Sequence, residues 1–197
     1  MPIDNECLDV IFRKARSYDG WRSTPVSDAQ LRAMYDLLKW GPTSANSSPA
    51  RIVFLRTAEA KERLRPALIP SNVEKTLTAP VVAIIGYDTK FYELLPRLFL
   101  PNPEARKWFA GEEKQALAEI TAFRNGTLQG GYLIIAARAI GLDCGPMSGF
   151  DNAKVDAEFF KGTSVKSNFI CALGYGDPAK VPVRSPRLAF DEACKIF

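Results

Sequence analysis

Apolar side chains recur every three to four positions over residues 6–17, where Leu8, Ile11, Phe12 and Ala15 share one face. They do so again over 28–40, through Leu31, Met34, Tyr35 and Leu38. Both patterns predict helices. Ser27 stands where an N-cap belongs, and Gly41-Pro42 closes the second helix. Short uncharged runs predict strands instead: RIVFLR at 51–56 and, most clearly, VVAIIGY at 81–87 behind Pro80. Between them Thr57 can cap the helix AEAKERLRPAL, whose last turn Pro66 breaks.

Residues 88–111 keep neither period; they form an irregular, aromatic excursion with Phe91, Tyr92, Phe99, Trp108 and Phe109. The longest helical stretch follows, about 112–140, interrupted by Gly126, Gly130 and Gly131. Glycine inside a helix costs about 1 kcal/mol relative to alanine. Three of them imply close approach by another backbone, a partner subunit or a ligand. After Gly141 come a short strand, the loop GPMSGFD, the helix DNAKVDAEFF and the strand NFICALGY. The tail GDPAKVPVRSPRLAF is extended and proline-rich yet too apolar for disorder, which lays it over another surface. With no repeat and no βαβ alternation, the reading is α+β: one domain over 1–197, a small mixed sheet flanked by helices, an excursion at 88–111 and a C-terminal arm from about 175.

Composition narrows the chemistry. The chain carries no histidine, which removes Ser-His and Cys-His nucleophiles, imidazole bases and histidine-containing metal sites. Reactivity must then come from carboxylates, Lys, Tyr, Arg or a bound cofactor, and a cofactor explains such a set most simply. Four widely spaced cysteines without a CxxC read as reduced and buried. The net charge of +4 is scattered, so nucleic-acid binding is not expected. No apolar run is long enough for a membrane span, and the N-terminus lacks a signal-peptide pattern, so a cytoplasmic protein is expected.

The usual nucleotide fingerprints are missing: GYGDPA lacks the third glycine of GxGxxG, and there is no GxxxxGK[ST]. Two other loops could meet a ligand. GPTSANSSPAR, at 41–51, gathers Thr43, Ser44, Asn46, Ser47 and Ser48, which suit the polar edge of a heterocycle or a phosphate as well as a plain turn. GLDCGPMSGFD, at 141–151, has small residues at Gly145 and Gly149 that let a ligand reach the main chain, or make a tight connection ending in the N-cap Asp151. Arg16-Ser17, Arg184 and Arg187 supply guanidinium and hydroxyl groups for a phosphate, although each arginine alone is an ordinary surface residue.

Taken in order, Arg16-Ser17, Pro42-Thr-Ser-Ala-Asn46, Gly145-Pro-Met-Ser-Gly-Phe150 and Arg187 resemble the nitroreductase family of FMN enzymes, over almost the whole chain. DGWRSTPVSD, KWGPTSANSSPAR, AFRN, GPMSGFD, KSN and PRLAFDEAC are similar to its malonic semialdehyde reductase-like branch of pyrimidine utilisation. The resemblance implies a nitroreductase-like fold and an entwined homodimer with FMN at its interface, the arm wrapping the partner. It also implies ping-pong reduction of a small molecule by NADH or NADPH. By position, Arg16, Ser17 and Arg187 would meet the phosphate and ribityl chain. Ser44 and Asn46 would meet the ring edge, and the backbone of Pro146, Met147, Ser148 and Gly149 would lie near N5 and O4.

The branch resemblance makes malonic semialdehyde the acceptor, reduced to 3-hydroxypropanoate. A nitro, quinone or enone reductase is the alternative, because reduced flavins transfer hydride to those groups more readily than to simple aldehydes; a flavin-binding protein without turnover is another. Phe91, Trp108 and Phe150 are either pocket walls or packing. Two departures stand out. The family's second arginine is here Asp19, which would repel phosphate and leaves Arg22 or Arg184 to supply the charge. Its Asn-x-Gln-Pro-Trp is here Asn46-Ser-Ser48-Pro-Ala50, which implies a different pocket.

Overall fold

A computed structural model describes residues 2–197. Its strands β1 (Ala50–Leu55), β2 (Val81–Asp88), β3 (Asp143–Met147) and β4 (Val165–Gly174) form one sheet in the order β1-β2-β4-β3. Its α-helices are α1 (Asn5–Leu8), α2 (Asp28–Leu38), α3 (Ala58–Leu64), α4 (Pro70–Leu77), α5 (Leu95–Leu98), α6 (Gln115–Ala139), α7 (Asn152–Phe159) and α8 (Phe190–Ala193).

The most apolar run takes the centre. β2 alternates its side chains between two covered faces. Val81, Ala83 and Ile85 pack with Met34, Leu38 and Leu133 of α2 and α6, while Val82 and Ile84 pack with Leu64 and Val155 of α3 and α7. Each strand pair is antiparallel. The expected mixed sheet is thus an antiparallel one: β2 and β3 run in the same direction, joined by a crossover through α6, but β4 lies between them, so no two neighbouring strands run parallel. Parallel pairing among the described residues is confined to an isolated bridge, Ser17 to Cys144.

Capping matches the sequence. Ser27 and Gln30 form a reciprocal capping box on α2, and Thr57 and Asp151 accept from the first turns of α3 and α7. The N-terminal helix is shorter than expected. α1 passes into a π-helical turn, Asp9–Arg13, and neither buries a residue. Val10 and Phe12 are half exposed, so the apolar stripe lacks the core that would extend the helix to Ser17. Cys144 and Cys171 are buried as expected, whereas Cys7 and Cys194 are exposed on the terminal segments.

The excursion is a run of short helical turns whose Phe91, Leu95 and Phe109 close a third cluster over Ala118 and Ala122 of α6. Two α6 glycines meet the sheet: a Cβ would lie 2.9 Å from Tyr87 at Gly126 and 2.4 Å from the Phe169 ring at Gly130. Gly131 faces open space. Residues 182–197 are exposed throughout.

Candidate functional site

The residues singled out in the sequence fall into two groups. The first is assembled on β3, the edge strand bearing Pro146, where a missing N–H costs no ladder bond. Gly145, Pro146 and Met147 are part of this strand rather than of the loop the sequence suggested, with Pro146 opposite Cys171 and Met147 opposite Ile170. Tyr18 N donates to Cys144 O at 3.0 Å, and a Cβ at Gly145 would come within 2.4 Å of Tyr18 O. The glycine therefore admits the protein's own 16–19 segment to the strand.

Gly149 works similarly. Its carbonyl accepts from Ile69 N at 3.2 Å and Asn72 Nδ2 at 2.9 Å, and their side chains occupy its Cβ space. Thr76 Oγ1 reaches the Met147 sulfur at 3.6 Å, so the buried Met147 side chain belongs to the core and leaves only its backbone for a ligand. Lys75 Nζ pairs with Asp19 Oδ1 at 3.1 Å. One face of α4 thus holds Asp19 and Gly149 on a single platform. Sequence reasoning missed Asn72 and Lys75; their spacing of three on a short helix was the available signal.

Arg16 donates to Pro182 O, and Arg184 Nη2 donates to Ala15 O at 2.8 Å. The start of the arm therefore crosses the Arg16-Ser17 segment, with Arg184 beside it. Among the described residues, Arg187 donates only to Ser185 O and Pro186 O in its own tail. Arg22 lines a separate cleft with Arg56 and Lys61. Burial and Asp143 push the Tyr18 phenol above its ordinary value, keeping it protonated near neutral pH.

The second group lies at the opposite edge of the sheet. Ala45, Asn46 and Ser48 have φ of 50°, 48° and 40°, a region costing a residue with a Cβ roughly 1–2 kcal/mol. The turn is held from both sides. Ser44 N donates to Asn125 Oδ1 and Ala50 N to Gln129 Oε1, both at 2.8 Å, while Asn46 Nδ2 donates to Leu98 O at 2.9 Å. Asn125 and Gln129 are buried amides one turn apart on α6, also missed from the sequence. Beside this loop an open groove of about 940 Å³ runs between α2, β1 and α5, with Ser48, Phe54, Arg97 and Leu98 in its walls.

β1 and β3 are separated by two strands, so the groups stand about 14 Å apart from strand spacing alone. Phe91 belongs to neither. It is fully buried, 5.0 Å from the Phe109 ring, and serves packing. Phe150 bridges to Leu68, and Trp108 stands against Phe99.

The family model described as "Nitroreductase family" matches residues 13–176, which include β3, the 16–19 segment and the 41–51 loop but not Arg184 or Arg187. The chain belongs to the nitroreductase family. It is 67% identical over 192 residues to a candidate NADH dehydrogenase/NAD(P)H nitroreductase of Cupriavidus pinatubonensis, covering 98% of each chain. It is 63% identical over 189 residues to HadB of Ralstonia pickettii, which bears the same description, covering 96% of each. A candidate nitroreductase from Exiguobacterium sibiricum 255-15, solved in complex with FMN, shares the fold. Its TM-score is 0.82 at 17% identity, covering 100% of this chain and 99% of that one.

Proposed function

We propose that this chain is an FMN-dependent oxidoreductase that draws hydride from NADH or NADPH and works as a homodimer. The β3 platform carries this reading, because it aligns phosphate donors with the main chain of residues 146–149. The donor set fits a flavin mononucleotide. Arg16 and Arg184 each commit one guanidinium nitrogen to a carbonyl, leaving other N–H groups for a dianion, and Ser17 is exposed beside them. Lys75 balances Asp19, removing the repulsion expected from that residue. Family relatives described as NAD(P)H nitroreductases, and a fold neighbour solved with FMN, support the same reading.

The second group completes the site from another copy. Ser44 and Asn46 sit across the sheet from the platform of their own chain, while α6 exposes Ile120, Phe123, Leu128 and Tyr132 around Gly131. Such an apolar strip on a 25-residue helix suits a second copy. The arm, carrying Arg187, would wrap that copy.

FMN, when bound, supplies two-electron hydride chemistry at N5. The chain's residues hold the phosphate at Arg16, Ser17, Arg184 and Arg187, meet the ring edge at Ser44 and Asn46, and present the 146–149 backbone to developing charge.

For the acceptor, nitro, quinone or enone compounds match flavin reactivity and the nitroreductase descriptions of the relatives. Malonic semialdehyde, giving 3-hydroxypropanoate in pyrimidine catabolism, is the second reading. The groove arginines Arg32 and Arg97, which form no ion pair among the described residues, favour it as holders of a carboxylate.

Purified protein should be yellow and bleach anaerobically with NADH or NADPH. Recovery of colour with nitro compounds or quinones supports the first acceptor class, and recovery with malonic semialdehyde supports the second. Colour without bleaching would make the chain a flavin-binding protein. Failure to bind FMN would overturn the proposal.

A further inference from the structure

The strained turn at Ala45, Asn46 and Ser48 needs an anchor where it enters β1. A residue held at positive φ persists only when its surroundings over-determine it. Asn125 and Gln129 fix the turn from the α6 side. On the sheet side a single side chain does so. Arg51 Nη1 donates to Ser48 O at 3.1 Å and to Ala50 O at 2.9 Å, and its Nη2 meets Asp88 Oδ2 at 2.8 Å.

Asp88 is itself fixed. Its Oδ1 accepts from Ser164 Oγ at 2.6 Å and from Lys90 N at 2.9 Å, and its backbone N donates to Pro49 O at 2.9 Å. Its side chain is 15% exposed, so the ion pair is partly shielded from water and salt. A chain of contacts thus runs from Ser164 at the entry to β4, through Asp88 and Arg51, to Ser48.

We propose that Arg51 is the positioning residue that sets the Ser44–Ser48 turn, and with it the backbone from which Asn46, its Nδ2 held by Leu98 O, meets the flavin. This rests on the flavin reading of that turn. Only a forked guanidinium serves the role, because two of its nitrogens hold different partners in fixed relative directions. A lysine in its place keeps the attraction to Asp88 but cannot hold Ser48 O with the same group in the same plane. β1 itself does not depend on the contact, since its six residues are paired along β2 and Leu55 is buried. Removing the fork therefore loosens the turn more than the sheet.

The experiment compares wild type with Arg51→Met, Arg51→Lys and Asp88→Asn. Hydrogen exchange at the amides of residues 44–48 is measured first in FMN-free protein. Loss of a charged hydrogen bond should speed exchange there roughly tenfold to hundredfold in Arg51→Met. Arg51→Lys should recover the thermal midpoint without recovering loop protection. FMN titration and the flavin visible spectrum follow, with weaker binding and a shifted band expected in both Arg51 variants.

Unchanged exchange in Arg51→Met overturns the proposal, as does faster exchange with FMN affinity and spectrum identical to wild type. If wild type itself binds no FMN, the flavin reading falls and with it the claim about Asn46, while exchange still decides whether Arg51 sets the turn. Should Arg51→Met fail to fold, Asp88→Asn removes the charge that aims Arg51 while keeping the shape of its side chain, and the same exchange criterion applies.

Discussion

Lys75 Nζ lies 3.1 Å from Asp19 Oδ1, so a carboxylate two residues beyond Ser17 is neutralised by a helix 56 positions away in sequence. The pair also ties α4 to the 16–19 segment. It turns the residue least favourable to the proposed phosphate site into part of that site's scaffold.

Lys75→Met should consequently weaken FMN binding by about two- to fivefold, the scale of a partly exposed ion pair. Lys75→Met with Asp19→Asn should recover that loss, as measured by quenching of flavin fluorescence. A double variant as weak as the single one would mean that Lys75 meets the cofactor directly.

Arg187→Ala should weaken FMN binding although, among the described residues of one chain, Arg187 bonds only its own tail. The proposed dimer brings the arm to a phosphate, and a lost charged hydrogen bond is worth roughly tenfold or more in affinity. Unaltered affinity would reject the phosphate role; Arg184→Ala, beside Arg16, should show a loss in any case.

Gly145→Ala should lower both thermal stability and FMN affinity. The new methyl would meet Tyr18 O at 2.4 Å, and that backbone oxygen cannot rotate away. Overpacking of this kind costs about 1–3 kcal/mol. A melting temperature equal to that of wild type would show that the 16–19 segment does not rest on β3 in solution.

Acid should loosen the excursion at Glu93. Arg106 forks onto this carboxylate at 2.6 and 2.9 Å and holds it below its ordinary value of 4.5. A carboxylate whose folded value is depressed stabilises the native state above the ordinary value and ceases to do so as pH falls through the depressed one. Below about pH 4.5 hydrogen exchange over residues 91–108 should quicken, by no more than about 1 kcal/mol for so exposed a pair. Glu93→Gln should exchange faster at neutral pH and lose that acid dependence; a variant with the wild-type profile would place the effect elsewhere.

The central strand and the capped helices were legible because their causes are local. Burial of Val81–Ile85 on both faces leaves no room for polar residues, and the caps at Ser27, Thr57 and Asp151 accept from amides three positions on. The N-terminal helix was overestimated for the opposite reason: periodicity records a stripe but not whether anything covers it, and Phe12 is left half exposed.

The loops at 41–51 and 141–151 were likewise visible in sequence, since glycine, proline and short polar residues must concentrate where the backbone leaves regular geometry. What they contact was not. Gly145 and Gly149 read equally as openings for a ligand or as parts of a tight connection, and their Cβ space is filled by Tyr18, Ile69 and Asn72 of the same chain.

The buried central strand, the capped helices and the family resemblance could be read from residue order alone, because each is written in short-range pattern or in ordered motifs. It took the folded chain to show that Lys75 pairs with Asp19, that Arg51 bonds the strained turn at Ser48, and that the two groups stand on opposite edges of one sheet. Charge pairing and strand order join residues distant in the chain, and no local spacing encodes which of them meet.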